Sequence, residues 1–144
     1  MDRSRIKYTK EEVKYLVGEI EKLRRFPEVP AALEKLHTKY KLVVLSNGDP
    51  DMLETAIPFD RVISVAQANS FKPHVATYTK AAELLGLKPD QILFVANHAF
   101  DCVGAKSAGM RTAFIDRRSR PFGETPHQPD IIIPTMKDLA DAIV

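Results

Sequence analysis

Cysteine is nearly absent: Cys102 stands alone and no Cys-x-x-Cys spacing occurs, so neither an intramolecular disulfide framework nor a zinc ribbon is available. No apolar run exceeds five residues, far short of a membrane helix. The opening Met1-Asp2-Arg3-Ser4-Arg5 is charged with no apolar stretch behind it, which argues against a secretory leader. A surplus of one charge sign is missing too: 21 Lys+Arg against 19 Asp+Glu leave +2, so no global field steers the chain toward nucleic acid or an anionic membrane. These absences lead us to expect a reducing, cytoplasmic setting and no membrane or nucleic-acid partner. What is present, 144 residues of which 44% are hydrophobic, is enough for one compact domain with a real core.

Local signals alternate between helix and strand. Thr9-Lys10-Glu11-Glu12 reads as a capping box, and Val13, Leu16, Val17, Ile20 and Leu23 follow at helical spacing, which predicts a helix over residues 10–24 that Pro27 stops. Pro30 opens a second helix, with Leu33 and Leu36 facing a core, that ends near Tyr40. The run at 42–45 is apolar without alternation, the pattern of a strand covered on both faces of a parallel sheet. The same grammar predicts a short helix at 49–56 capped by Asp49, strands at 62–65, 92–95, 112–115 and 131–133, helices at 75–85 and 99–108, and a last helix begun by Thr135. Strands alternating with helices of this length define an α/β fold: a Rossmann-like parallel sheet with helices on both faces. In such sheets chemistry sits beyond the C-terminal strand ends. The segment 117–130, with Arg117, Arg118 and Arg120, reads as a solvated surface loop.

Three strand ends carry candidate chemistry. Ser46-Asn47-Gly48 offers a hydroxyl, a carboxamide and a backbone amide to an anionic oxygen, although a capped turn accounts for it equally well. In Phe71-Lys72-Pro73 the proline biases Lys72 toward extended backbone; taken alone, Lys72 reads as a surface lysine. Asn97-His98-Ala99-Phe100-Asp101 puts Asp101 in the first turn of a helix, where capping is the plain alternative. A hydroxyl, an ammonium and a carboxylate at three successive strand ends of one sheet are harder to dismiss together than singly.

These segments, with Tyr78 six residues beyond Lys72 and Gly104-Ala105-Lys106-Ser107-Ala108-Gly109 following Asp101, resemble the haloacid dehalogenase (HAD) superfamily, specifically its type II 2-haloacid dehalogenases, from about Thr9 to the C-terminus. The resemblance implies a hydrolase in which an aspartate displaces the halogen of a small haloacid substrate and water cleaves the resulting ester, with no cofactor. It implies that Ser46 and Asn47, with Gly48, hold the substrate carboxylate or halide. It also implies that Lys72 balances the nucleophile's charge, that Asp101 orients Lys72 and water, and that Tyr78 supports this network. The physics agrees, because an ammonium lowers the cost of bringing an anionic substrate to an ionised carboxylate. Superfamily phosphatases hold Mg²⁺ with an aspartate where this chain has Asn97, and an amide weakens such a site. Metal-free dehalogenation is therefore preferred over phosphoryl transfer. His98 and Phe100 depart from the asparagine and tryptophan of many type II enzymes, which leaves substrate preference open. His98 can donate to a halide or be an ordinary loop histidine.

The family's nucleophile segment, at the end of a first strand before a helical cap, has no counterpart in this sequence. Residues 1–30 resemble the last cap helix and the return to the core, and residues 31–144 the core itself. Asp49 reads as an N-cap rather than a relocated nucleophile. Without the central strand, the strands at 42–45 and 92–95 must pair directly, accept an element from another copy in a homo-oligomer or strand-exchanged dimer, or belong to a longer protein. The expected activity of the chain as it stands is nil. The alternatives are a Mg²⁺-dependent phosphatase and a non-catalytic, self-associating module.

Overall fold

A computed structural model describes residues 7–48 and 59–144. The order is α1 (Lys10–Glu21), α2 (Val29–His37), β1 (Val43–Ser46), β2 (Arg61–Ser64), α3 (Val75–Leu85), β3 (Leu93–Ala96), α4 (Ala99–Ser107), β4 (Arg111–Ile115), β5 (Ile131–Ile133) and α5 (Met136–Ile143), with 3₁₀ turns at Val65–Gln67 and Pro89–Gln91. The helix expected at 49–56, and Asp49 with it, lies outside the described residues.

Local chemistry accounts for most boundaries. The Thr9 hydroxyl accepts from the Glu12 amide at 3.2 Å while the Glu12 carboxylate accepts from the Thr9 amide at 2.7 Å, a reciprocal capping box that starts α1. Thr135 caps α5 through the Asp138 amide. Gly86, at φ 66°, supplies the left-handed C-cap that ends α3. Two expectations need correction. α1 ends at Glu21 rather than near Arg24, and Val13, Leu16 and Val17 on its apolar stripe remain exposed. Arg117 is not solvated: it pairs with Glu28 at 2.6 Å and stacks over the Phe26 ring at 3.8 Å, so the loop after β4 holds the segment between α1 and α2.

All strand pairs are parallel, but they form two ladders. β1 pairs with β2, Val43 opposite Arg61 through Ser46 opposite Ser64. β3 pairs with β4, and β4 with β5, Leu93 opposite Arg111 and Ala113 opposite Ile131. Among the described residues β1 and β3 share no ladder, which removes the expectation that these two strands pair directly. Side chains bridge the ladders instead. Leu45 of β1 joins Ile92 and Phe94 beside Tyr78, Ala82 and Ala105 of α3 and α4. On the other face Leu93 and Val95 pack with Ala113, Ile115 and Leu139 of α5, and α5 packs in turn against Ala32, Leu33 and Leu36 of α2. Alternate residues of β3 thus face opposite helical layers, as the non-alternating apolar run requires.

Candidate functional site

The C-terminal ends of β1, β2 and β3 converge. Lys72, in the turn before α3, places its ammonium 3.2 Å from the Asp101 carboxylate in the first turn of α4, and both side chains are largely buried. Asp101 does not cap its helix. Its second carboxylate oxygen accepts from the Tyr78 hydroxyl at 3.0 Å, and His98 occupies the cap position. The Tyr78 ring is fully buried and meets Phe94 edge-on at 5.2 Å, while the Lys72 ammonium lies 5.7 Å from the centre of the same Phe94 ring. Burial, then the Asp101 charge, pushes the Tyr78 phenol far above its ordinary range. It therefore stays protonated and always donates. The same two causes push Cys102 up to about 12, so this buried thiol is not a nucleophile at neutral pH.

Asn47 sets the position of Lys72. Its Oδ1 accepts from the Lys72 amide at 2.8 Å and its Nδ2 donates to the Lys72 carbonyl at 3.2 Å, so one carboxamide grips the lysine backbone at both polar groups. In this geometry the side chain expected to bind substrate has both functional ends engaged by Lys72. Ser46 shapes the same turn: its Oγ accepts from the Gly48 amide at 3.0 Å, and the Ser64 hydroxyl donates to the Gly48 carbonyl at 3.0 Å. The Gly48 amide, expected to face an anion, is engaged by Ser46.

The third segment divides. Asn97 turns its amide onto the Ile115 carbonyl at the end of β4. His98 and Phe100 are exposed and pack on one another, with ring centres 5.3 Å apart. Phe100 also borders a hollow of about 470 Å³ with Pro73, Gly104 and Phe122, and this hollow includes none of Ser46, Lys72 or Asp101. No group of three or more His, Cys, Asp or Glu among the described residues is arranged to hold a metal ion. The donor set itself does not fit Mg²⁺: Asn97 presents an amide turned toward β4, and Asp101 is already held by an ammonium and a phenol.

Gly104 entered the sequence reading only as part of the resembling segment 104–109, with no role of its own, yet the packing around the site depends on it. A Cβ there would lie 2.5 Å from the Pro73 carbonyl oxygen, 2.6 Å from the Tyr78 ring and 2.9 Å from its hydroxyl. Its absence lets α4 approach α3 closely enough for Tyr78 to reach Asp101. A glycine inside a helical pattern was the available signal.

The core is a parallel α/β scaffold whose linked lysine, aspartate and tyrosine lie beyond the strand ends, where such sheets bind their ligands. The family model for haloacid dehalogenase-like hydrolases matches residues 2–109, and the chain belongs to that family. It is 34% identical over 137 residues to haloacetate dehalogenase H-2 of Moraxella sp. (strain B), a match covering 90% of this chain and 59% of that one. It is 32% identical over 128 residues to the (S)-2-haloacid dehalogenase of Pseudomonas sp. (strain YL), covering 83% and 55%. The solved L-2-haloacid dehalogenase of Xanthobacter autotrophicus with chloropropionic acid covalently bound superposes with a TM-score of 0.85 at 29% identity, over 96% of this chain and 68% of that one. The chain thus spans little more than half the length of these two curated relatives.

Proposed function

We propose that the chain is the core portion, residues 31–144, of a 2-haloacid dehalogenase-like hydrolase, preceded by a remnant of the cap over residues 1–30, and that it is inactive alone in a cytoplasmic setting. The observation that carries this reading is the linked set Asn47–Lys72–Asp101–Tyr78 at the strand ends of a family core. In the complete reaction an aspartate displaces halide from C2 of a 2-haloacid, and water then cleaves the ester. Here Lys72 supplies the positive charge that keeps such a carboxylate ionised. Asp101 orients the ammonium, Tyr78 holds Asp101, and Asn47 fixes the lysine backbone. Ser46 and Gly48 shape the turn that faces the substrate carboxylate, while His98 and Phe100 form the exposed rim that sets substrate preference. Asp101, whose two carboxylate oxygens accept from Lys72 and Tyr78, takes this orienting role in our reading and not that of the attacking group.

The test is complementation. The purified chain is incubated with 2-chloropropionate or chloroacetate, with and without the portion of the Moraxella relative that this chain does not match, and free halide is measured. Release only in the mixture, abolished by Lys72→Ala, is expected. Release that is unchanged by Lys72→Ala contradicts the assignment.

A further inference from the structure

α4 carries a second stripe beside the one that faces the core. Phe100, Val103, Gly104 and Ser107 recur at i, i+3, i+4 and i+7 and so share one face of the helix. That face forms one side of the hollow of about 470 Å³. Pro73 and Val75, at the start of α3, and residues 122–125 of the loop after β4 form the others. The loop wall is firmly held. Phe122 meets Phe114 edge-on at 5.1 Å, the Gln128 side-chain amide donates to the Gly123 and Thr125 carbonyls at 3.0 Å each, and the Thr125 hydroxyl accepts from the His127 amide at 3.2 Å. A preformed, largely apolar hollow of this size fits a small molecule.

The polar atoms on its walls are acceptors. Glu124 is the one charged residue that lines it. Its side chain is exposed, and the ion pairs formed nearby among the described residues, Lys106 with Asp130 and Arg117 with Glu28, leave it out. The Pro73 carbonyl oxygen is turned toward Gly104, and no backbone amide among the described residues donates to it. The Ser107 hydroxyl gives its hydrogen to the Val103 carbonyl at 2.8 Å, so only its lone pairs remain. Such a lining repels a carboxylate and suits an ammonium, which brings three donors and the opposite charge.

We propose that this hollow is a binding site for a small primary ammonium with an apolar body the size of a benzene ring, separate from the Lys72–Asp101 cluster. The body lies against Phe100, Val103 and Phe122. The ammonium is drawn to Glu124 at the rim, with the Pro73 carbonyl and the Ser107 hydroxyl as acceptors on the facing walls. Nothing in this assignment rests on dehalogenation.

The experiment titrates the labelled full chain near neutral pH with 2-phenylethylammonium and, separately, with phenylacetate, an anion of similar size, following backbone amide shifts by NMR. At millimolar concentration the ammonium is expected to move the amides of residues 103–107 and 122–125 along saturable curves, and phenylacetate to leave them in place. Glu124→Gln, at an exposed position, is expected to weaken the ammonium by about threefold or more. Shifts that do not saturate overturn the proposal, as do equal shifts from phenylacetate, an affinity unchanged by Glu124→Gln, or shifts centred on Lys72 and Asp101 instead of the hollow.

Discussion

Tyr78 and Gly104 carry the most consequence per atom. Tyr78→Phe keeps the ring against Phe94 and removes only the hydroxyl that donates to Asp101. A hydrogen bond to a charged group contributes about 1.5–3 kcal/mol, and Asp101 retains Lys72, so a loss near the lower end of that range is expected in urea unfolding. A change below about 0.5 kcal/mol, the ordinary spread for surface substitutions, would contradict the network. Gly104→Ala pits two effects against each other. Alanine gains about 1 kcal/mol of helix propensity over glycine, but the new methyl meets the Pro73 backbone at 2.5 Å, and overpacking costs about 1–3 kcal/mol. A backbone carbonyl yields less readily than a side-chain tip, so net destabilisation is expected, and a stabilised variant would show that α3 and α4 are not tightly opposed. That the side chains of Lys72, Asp101 and Tyr78 come together was legible through the resemblance. The grip of Asn47 on the Lys72 backbone was not, because residues 25 apart in sequence reveal their hydrogen bonds only in three dimensions.

Elements are tied at the bottom of the sheet by a device used twice. Asp60 precedes β2, donates its amide to the Leu42 carbonyl at 2.9 Å and accepts the Leu42 amide on its carboxylate at 2.6 Å. Asp130 precedes β5 and does the same with Thr112, at 3.0 and 2.7 Å. The Leu42 amide, with His37 adding to it, holds the Asp60 carboxyl below its usual range. Lys106, with the Thr112 amide adding to it, does so for Asp130. Carboxylates with depressed folded-state pKa values contribute stability that is present above their unfolded value of about 3.9 and lost as pH falls through the folded one. The thermal midpoint is therefore expected to decline below about pH 4, and the double variant Asp60→Asn, Asp130→Asn to start lower at pH 6 and decline less steeply. Parallel declines would contradict the assignment. Helix and strand positions were legible because each is a local pattern; α3 and β5 fall on the expected residues. The early end of α1 was not, since the segment after it is held by Arg117, nearly ninety residues away, through Glu28 and Phe26.

At the scale of the molecule, two parallel ladders share one set of strand-end residues without sharing a hydrogen-bonded seam among the described residues. That the chain forms a parallel α/β fold was legible in the sequence; that β1 and β3 stand in separate ladders among the described residues was one of several outcomes left open. The sequence does not choose among them, because apolar runs do not specify partners; the structure joins the ladders through Leu45, Phe94 and Tyr78 rather than through backbone pairing. The central claim of the proposed function is that Lys72 and Asp101 form the charge-balancing half of a dehalogenating site and that no carboxylate of residues 1–144 supplies the attack. Its most direct test is halide release from 2-chloropropionate by the purified chain alone, beside its Lys72→Ala variant. The account predicts no release above background from either, and halide turnover by the unaltered chain that Lys72→Ala abolishes would contradict it.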